Sequence, residues 1–270
     1  MQKFLLTAIA AMCSVALYAG TAADAAENEL LEAYSTMQFS KAKKLAAGSK
    51  RPEFQLIGAL CEVFDRRAQN LKHGMPELQR LSRSPELPEK YRPTALLAYA
   101  RAIHTLGFRK NVYPPAEGVD PTPLYDEVLA KYPTSTEAVF AAIYRTTLMF
   151  DTQKTREGIS FLENFIRNFK GNPKLLGAAH SLLAQEYILS FEDYKSAVKH
   201  YIAFRDLGVA NPKHQAPVQF KIARIFDFRL NDYAAAEKEY IRFLKEHPDS
   251  GEAVIVKRYL KELKARRESK

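Results

Sequence analysis

Apolar side chains recur along this chain with the 3.6-residue rhythm of amphipathic helices, and no stretch alternates in the manner of a strand. The rhythm has a longer period as well. Gly158, Ala197 and Ala236 stand 39 residues apart at each step, as do Leu162, Tyr201 and Tyr240, and Phe165, Phe204 and Phe243. Each repeat thus reads small-x3-large-x2-Phe, which is one face of a helix. Repetition at this length predicts stacked helix pairs, each burying its apolar face against its neighbours. The expected fold class is therefore all-α, a solenoid of antiparallel helix pairs.

The punctuation places the elements. Helices are predicted over 27–37, 41–47, 52–64 and 66–82, with a bend at Gly74-Met75-Pro76 because proline disfavours helix in the residue before it. Ser84-Pro85-Glu86-Leu87-Pro88 breaks the chain, and a further helix follows over 89–108 with His104 at the edge of its buried face. Pro133-Thr-Ser-Thr-Glu-Ala-Val139 parallels Pro248-Asp-Ser-Gly-Glu-Ala-Val254. In both, proline ends one helix, and Ser135 or Ser250 is placed to cap the next. The remaining helices fall at 136–150, 155–169, 173–190, 194–206, 215–229, 234–246 and 250–268. This divides the chain into a signal peptide (1–25), degenerate helical repeats (26–110), a proline-rich loop (111–123), the repeat array (124–249) and a capping helix with a basic tail (250–270).

The N-terminus bears on location. Lys3 precedes a mostly apolar run from Phe4 to Ala19, and Ala23-x-Ala25 supplies a small-x-small cleavage site near Ala25 or Ala26. This is the pattern of a secretory signal peptide, after whose removal no membrane-spanning segment is expected. Cys13 follows Met12 inside the apolar run, a poor lipidation site. Its removal leaves Cys61, so no disulfide is expected within the mature chain. Cys61 lies in the stripe Leu56, Ile57, Leu60, Cys61, Phe64, which favours a buried, inert thiol.

Charge and candidate chemistry add little. The net charge of +9 fits either a solvated basic surface or an anionic partner such as a glycan or lipid headgroup. Export argues against nucleic acid. Lys257 to Lys270 holds seven basic residues against two glutamates, a polar cap or a basic docking tail. No G-x-S-x-G, H-E-x-x-H, C-x-x-C or phosphate-binding glycine loop is present. The histidines at 73, 104, 180, 200, 214 and 247 show no ligand spacing, and Glu163 and Glu186 have no distinguishing context. No catalytic residue, metal ligand or cofactor site is expected, and the chain is read as a non-enzyme.

The stretch Leu230-Asn-Asp-Tyr-Ala-Ala-Ala236-Glu-Lys-Glu-Tyr240-Ile-Arg-Phe243-Leu-Lys-Glu-His-Pro248 resembles a tetratricopeptide repeat. Ala236, Tyr240, Phe243 and Pro248 occupy the family's small, aromatic, small and proline positions, with Phe243 a departure at the third. Tyr194, Ala197, Tyr201 and Phe204 match well, and Thr155, Gly158, Leu162 and Phe165 less so. The 39-residue period is longer than the common 34 and resembles repeats in bacterial envelope proteins, the outer-membrane assembly lipoproteins and Tol-associated periplasmic proteins. The resemblance implies a right-handed superhelix with a ligand groove on its concave side. The family's groove positions fall on Phe140, Ile143, Thr147, Phe150, Glu186, Ser190, Lys221, Phe228 and Arg229, with Lys257 and Lys264 on the final helix. Lys221 matches the lysine of the chaperone-tail carboxylate clamp, but Ile225 stands where that clamp has asparagine, so a chaperone-tail receptor is not expected. The resemblance implies an exported scaffold for protein–protein interaction in the bacterial envelope, with another envelope protein or peptide segment as partner. Two alternatives stay open: an envelope protein binding glycan or anionic lipid, and the helical platform of a cell-wall-acting enzyme.

Overall fold

The computed structural model describes residues 25–65, 70–107, 120–208 and 215–268. Residues 1–24 of the expected signal peptide, most of the expected proline-rich loop, and His214 lie outside them, whereas Ala25 and Ala26, where cleavage is expected, open the first described helix. Thirteen α-helices and two short 3-10 turns make up the secondary structure, with no strand among the described residues. In chain order they are α1 (Ala25–Ser35), α2 (Phe39–Ala46), α3 (Pro52–Phe64), α4 (Leu71–Ser82), α5 (Arg92–Gly107), α6 (Thr122–Lys131), α7 (Thr136–Asp151), α8 (Thr155–Asn168), α9 (Gly177–Phe191), α10 (Tyr194–Asp206), α11 (Gln215–Phe228), α12 (Tyr233–Glu246) and α13 (Ala253–Glu268). The 3-10 turns, Glu89–Tyr91 and Pro173–Leu176, lead into α5 and α9.

The chain forms two compact units that divide between Leu148 and Met149, inside α7. In the first unit α1 packs on α2 and α3, α3 on α4, α4 on α5 and α5 on α6. In the second, each helix from α8 to α12 packs on its successor, most extensively within the pairs α9–α10 and α11–α12. This is the helix-pair stacking of an all-α solenoid.

The periodic rows form the core of the second unit. Gly158, Ala197 and Ala236 are buried, as are Leu162, Tyr201 and Tyr240. Phe204 and Phe243 are buried too, while Phe165 is only partly covered. Small residues let paired helices approach. A Cβ on Gly158 would lie 2.7 Å from Cε1 of Phe150, so that ring fills the space a larger residue would need. The turns repeat as well. Gln153, Glu192 and Asn231 are left-handed (φ 64°, 50° and 52°) and again 39 residues apart. After Gln153 the Lys154 amide donates to the Met149 carbonyl, the six-to-one bond of a Schellman turn, while after the other two the amides of Asp193 and Asp232 reach one residue further back, to the carbonyls of Tyr187 and Phe226. Asp193 and Asp232 then cap α10 and α12, their carboxylates accepting from the amides of Ser196 and Ala235.

Two local expectations need correction. Ser135 does cap α7, its hydroxyl accepting from the Ala138 amide at 3.0 Å, but Ser250 does not cap α13. Residues 250–252 form a turn, the helix begins at Ala253, and the Ser250 hydroxyl is buried without a partner among the described residues. The helix expected from 66 starts at Leu71 and carries Pro76 within it. In the C-terminal basic run, Arg266 grips Asp227, while Lys264 and Arg267 both reach Glu237.

Cys61 is fully buried in the core of the first unit, as its stripe predicts. Glu27 is buried in α1, accepting from Arg51 at 2.9 Å, Lys90 at 2.8 Å and Tyr91 at 2.6 Å. Burial opposes its charge, but the hydrogen bonds from Lys90 and Tyr91 outweigh burial and hold its pKa below the usual carboxylate value.

Candidate functional site: a cation–aromatic face on the second unit

The expected groove residues separate into distinct environments. Phe140 and Ile143 do not line a surface: they are 6% and 8% exposed, and the Phe140 ring stacks on Tyr144. They belong to core, because the α7 face bearing them is apolar on both flanks. Thr147 is half-buried and spends its hydroxyl on the Tyr144 carbonyl at 2.8 Å. Phe150 is half-buried against Gly158. Glu186 and Ser190, one turn apart on α9, hydrogen-bond each other at the surface. Lys257 is exposed on α13, and Lys264 lies 3.8 Å from the Glu237 carboxylate.

Lys221, Phe228 and Arg229 each meet a different ring or cation. The Lys221 ammonium sits over the Tyr201 ring at 4.9 Å and donates to its hydroxyl at 3.3 Å. Lys221 as a residue is exposed, yet desolvation of its ammonium beside this core tyrosine lowers its pKa. Burial likewise pushes the Tyr201 phenol up to about 12. Arg229 lies over Tyr194 at 5.1 Å. Phe228 is 44% exposed, and its edge contact is Tyr259 of α13 at 5.5 Å. Its cations are Arg266 at 5.5 Å and Arg224 at 6.0 Å, neither of which was expected. Arg224 was legible, since it stands four residues before Phe228 and four after Phe220, whose ring it also faces. Arg266 was not, because it arrives from another helix.

An exposed phenylalanine normally moves to the core. Here the backbone forbids it. Phe228 is the last residue of α11, and its neighbour Asp227, 1% exposed, takes the inward position. Asp227 accepts from Arg266 at 2.8 and 3.0 Å and from the Tyr240 hydroxyl at 3.1 Å. One ion pair thus fixes α13 to α11 and sets the guanidinium beside Phe228. Leu189, 39 residues earlier on α9, is also exposed, at 67%. The repeat therefore presents an apolar side chain at the same helix end twice in succession.

A second cluster was invisible in sequence. Nδ1 of His180 on α9 lies 2.9 Å from Nδ1 of His200 on α10. His200 Nε2 faces Glu163 of α8 at 3.5 Å, and the Tyr187 hydroxyl donates to the same carboxylate at 2.7 Å. Two neutral rings satisfy this geometry when His180 donates to His200 and His200 Nε2–H points at Glu163. Burial, reinforced by the nearby charges of His200 and Lys199, pushes the His180 pKa down to about 4. His200 is lowered by burial against the opposing pull of Glu163. Facing nitrogens of this kind form a pair, not a metal cage. Among the described residues no group of three or more His, Cys, Asp or Glu side chains is placed to hold a metal ion.

The face around Phe228 falls in the part of the chain that resembles a known family. Residues 218–250 match the family model of the tetratricopeptide repeat, covering most of α11, all of α12 and the turn toward α13. A repeat of this family suggests protein partners. No curated protein matches the chain. No described helix is long and apolar enough to cross a membrane.

Proposed function

We propose that the protein is a non-enzymatic scaffold of the bacterial cell envelope, exported by its N-terminal signal, which holds a segment of another envelope protein against the Phe228 face. The observation that carries this reading is the exposed ring of Phe228, kept at the surface by the Asp227–Arg266 pair and flanked by Arg224 and Arg266. A ring with guanidinium groups beside it suits a segment carrying an apolar or aromatic residue next to an acidic one. Leu189 extends the apolar contact toward the preceding repeat. Lys221 and Arg229 lie over rings of their own and contribute positive field more than direct contact.

A photocrosslinking side chain at position 228 or 189 tests this in cells. One shared partner captured at both positions, but not at Val254, which is 79% exposed on α13, is the expected result. Capture of the same species from all three positions, or none from 228, overturns the assignment. Competition by salt separates the alternative of an anionic polymer. Capture by charge alone weakens steeply with ionic strength, whereas an apolar anchor holds.

A further inference from the structure

The first unit buries a cation that no described side chain matches with a carboxylate. Arg101, in the middle of α5, is 5% exposed. Its guanidinium carbon lies over the Phe64 ring of α3 at 4.5 Å and over the Tyr144 ring of α7 at 5.4 Å. Its Nε is sealed from solvent with no hydrogen-bond partner, and among the described residues no carboxylate forms an ion pair with it. Elsewhere this chain matches its buried charges. Glu27 has Arg51, Lys90 and Tyr91; Asp227 has Arg266 and Tyr240; Glu239 has Arg205 at 2.8 Å.

Ring faces stabilise a cation electrostatically but accept no directed N–H bond. A guanidinium carries five donors in one plane, and leaving them unmet away from water is costly. A buried arginine held only by rings therefore has its geometry fixed and its hydrogen bonds vacant, which is the arrangement of a receptor for a bidentate oxyanion. The two Nη nitrogens are not sealed as Nε is. One turn along α5, His104 and the Tyr125 hydroxyl lie 3.1 Å apart and bring further polar groups into the same interior. The Arg101 charge also acts on the phenols of both Tyr125 and Tyr144.

We propose that Arg101 is the anchor of an oxyanion-binding site in the first unit, taking a single carboxylate or phosphate group edge-on between Phe64 and Tyr144. This site is independent of the Phe228 face.

The test is thermal unfolding of the full mature chain in increasing inorganic phosphate or acetate, with ionic strength held constant by chloride. The melting temperature of the wild type should rise saturably with at least one of the two anions. Arg101→Met, which keeps the apolar stem between the rings, should lose that rise. Arg258→Met, removing a surface cation, should keep it. Arg101→Lys should require about tenfold more anion for half effect, since a point charge cannot reproduce the fork. Response to phosphate alone would assign a phosphate or lipid headgroup, and response to acetate a carboxylate. If neither anion acts on the wild type beyond chloride, or if Arg101→Met responds as the wild type does, the proposal fails. If Arg101→Met does not fold, Arg101→Lys decides: a half-effect concentration equal to that of the wild type overturns the proposal.

Discussion

Replacing Arg266 by methionine should loosen the C-terminal helix and release Phe228 together. Asp227 contributes a side chain that is 0% exposed, while Arg266 is 38% exposed. The substitution therefore leaves a buried carboxylate with the Tyr240 hydroxyl as its remaining described partner. Breaking a fully buried pair in this one-sided way typically costs about 3–5 kcal/mol. Because the arginine half is reached by water, part of the lost solvation returns, and we expect roughly 2–3 kcal/mol. For a unit of this size that is a fall of about 5–10 °C in melting temperature. The converse change, Asp227→Asn, should cost less, since Arg266 can turn to solvent. The double variant should cost less than the sum of the singles, because neither retains an orphaned charge.

Circular dichroism of the unfolding transition gives the overall cost, and hydrogen exchange of peptides from α13 localises it. Stacked helix pairs interact mainly with their neighbours, so exchange should rise first in α13 and in the end of α11, and least in α8. An unchanged melting temperature with unchanged exchange in α13 would show that water already solvates Asp227, and the argument from burial would be refuted.

Other expectations follow from the same geometry. Ala236→Leu should destabilise the second unit by about 1–3 kcal/mol, because the site is 0% exposed and has no room for three more carbons; a wild-type melting curve would contradict this. Lowering the pH from 6.5 toward 4 should remove up to about 3 kcal/mol from the second unit, since the folded state holds His180 neutral and the unfolded state does not. The sign is that of a depressed histidine: the stabilisation is complete above 6.5 and lost on acidification. His180→Gln should flatten the pH dependence of unfolding in that window, and a curve that keeps its slope would refute the assignment. Cys61 should react with thiol reagents only on unfolding, so fast labelling of the native chain would contradict its burial.

What could be read from the sequence was whatever lies within one helix or recurs at the repeat period. The rows through Ala236, Tyr240 and Phe243 named the core of the second unit, because burial of a helix face imposes its period on the residues. The boundaries of α10 and α12 came from helix periodicity, with Pro248 marking the end of α12, although the Asp193 and Asp232 caps went unnoticed. Contacts between helices were not legible. His180 and His200 are 20 residues apart, a separation that means nothing until α9 and α10 lie side by side. Phe140 shows the opposite failure, for a family position predicted exposure while the α7 packing buried it. Ser250 failed because a serine at a cap position caps only when the helix starts there, and the Ser250–Glu252 turn moves that start to Ala253.

The placement of Phe228 shows how a repeat built for packing acquires a surface. A helix-end position tolerates exposure because the helix needs no contact there to close its hydrogen bonds. At the equivalent position of the preceding repeat the residue is leucine, without a guanidinium group described beside it. At Phe228 the next helix supplies both Tyr259 and Arg266, and Arg266 is held by a carboxylate one residue away in sequence from the ring it flanks. The cation is thus positioned by the core, not by the ring, and stays in place when a ligand competes for the aromatic face. A surface lysine there would gain its order only from the ligand and would lose side-chain entropy on binding. The Asp227–Arg266 pair therefore joins stability and recognition in one contact. Phe228→Ala should remove binding while leaving the melting temperature nearly unchanged, whereas Arg266→Met should lower both. If Phe228→Ala instead unfolds the second unit as readily as Arg266→Met does, the ring is structural and the binding face must be sought elsewhere.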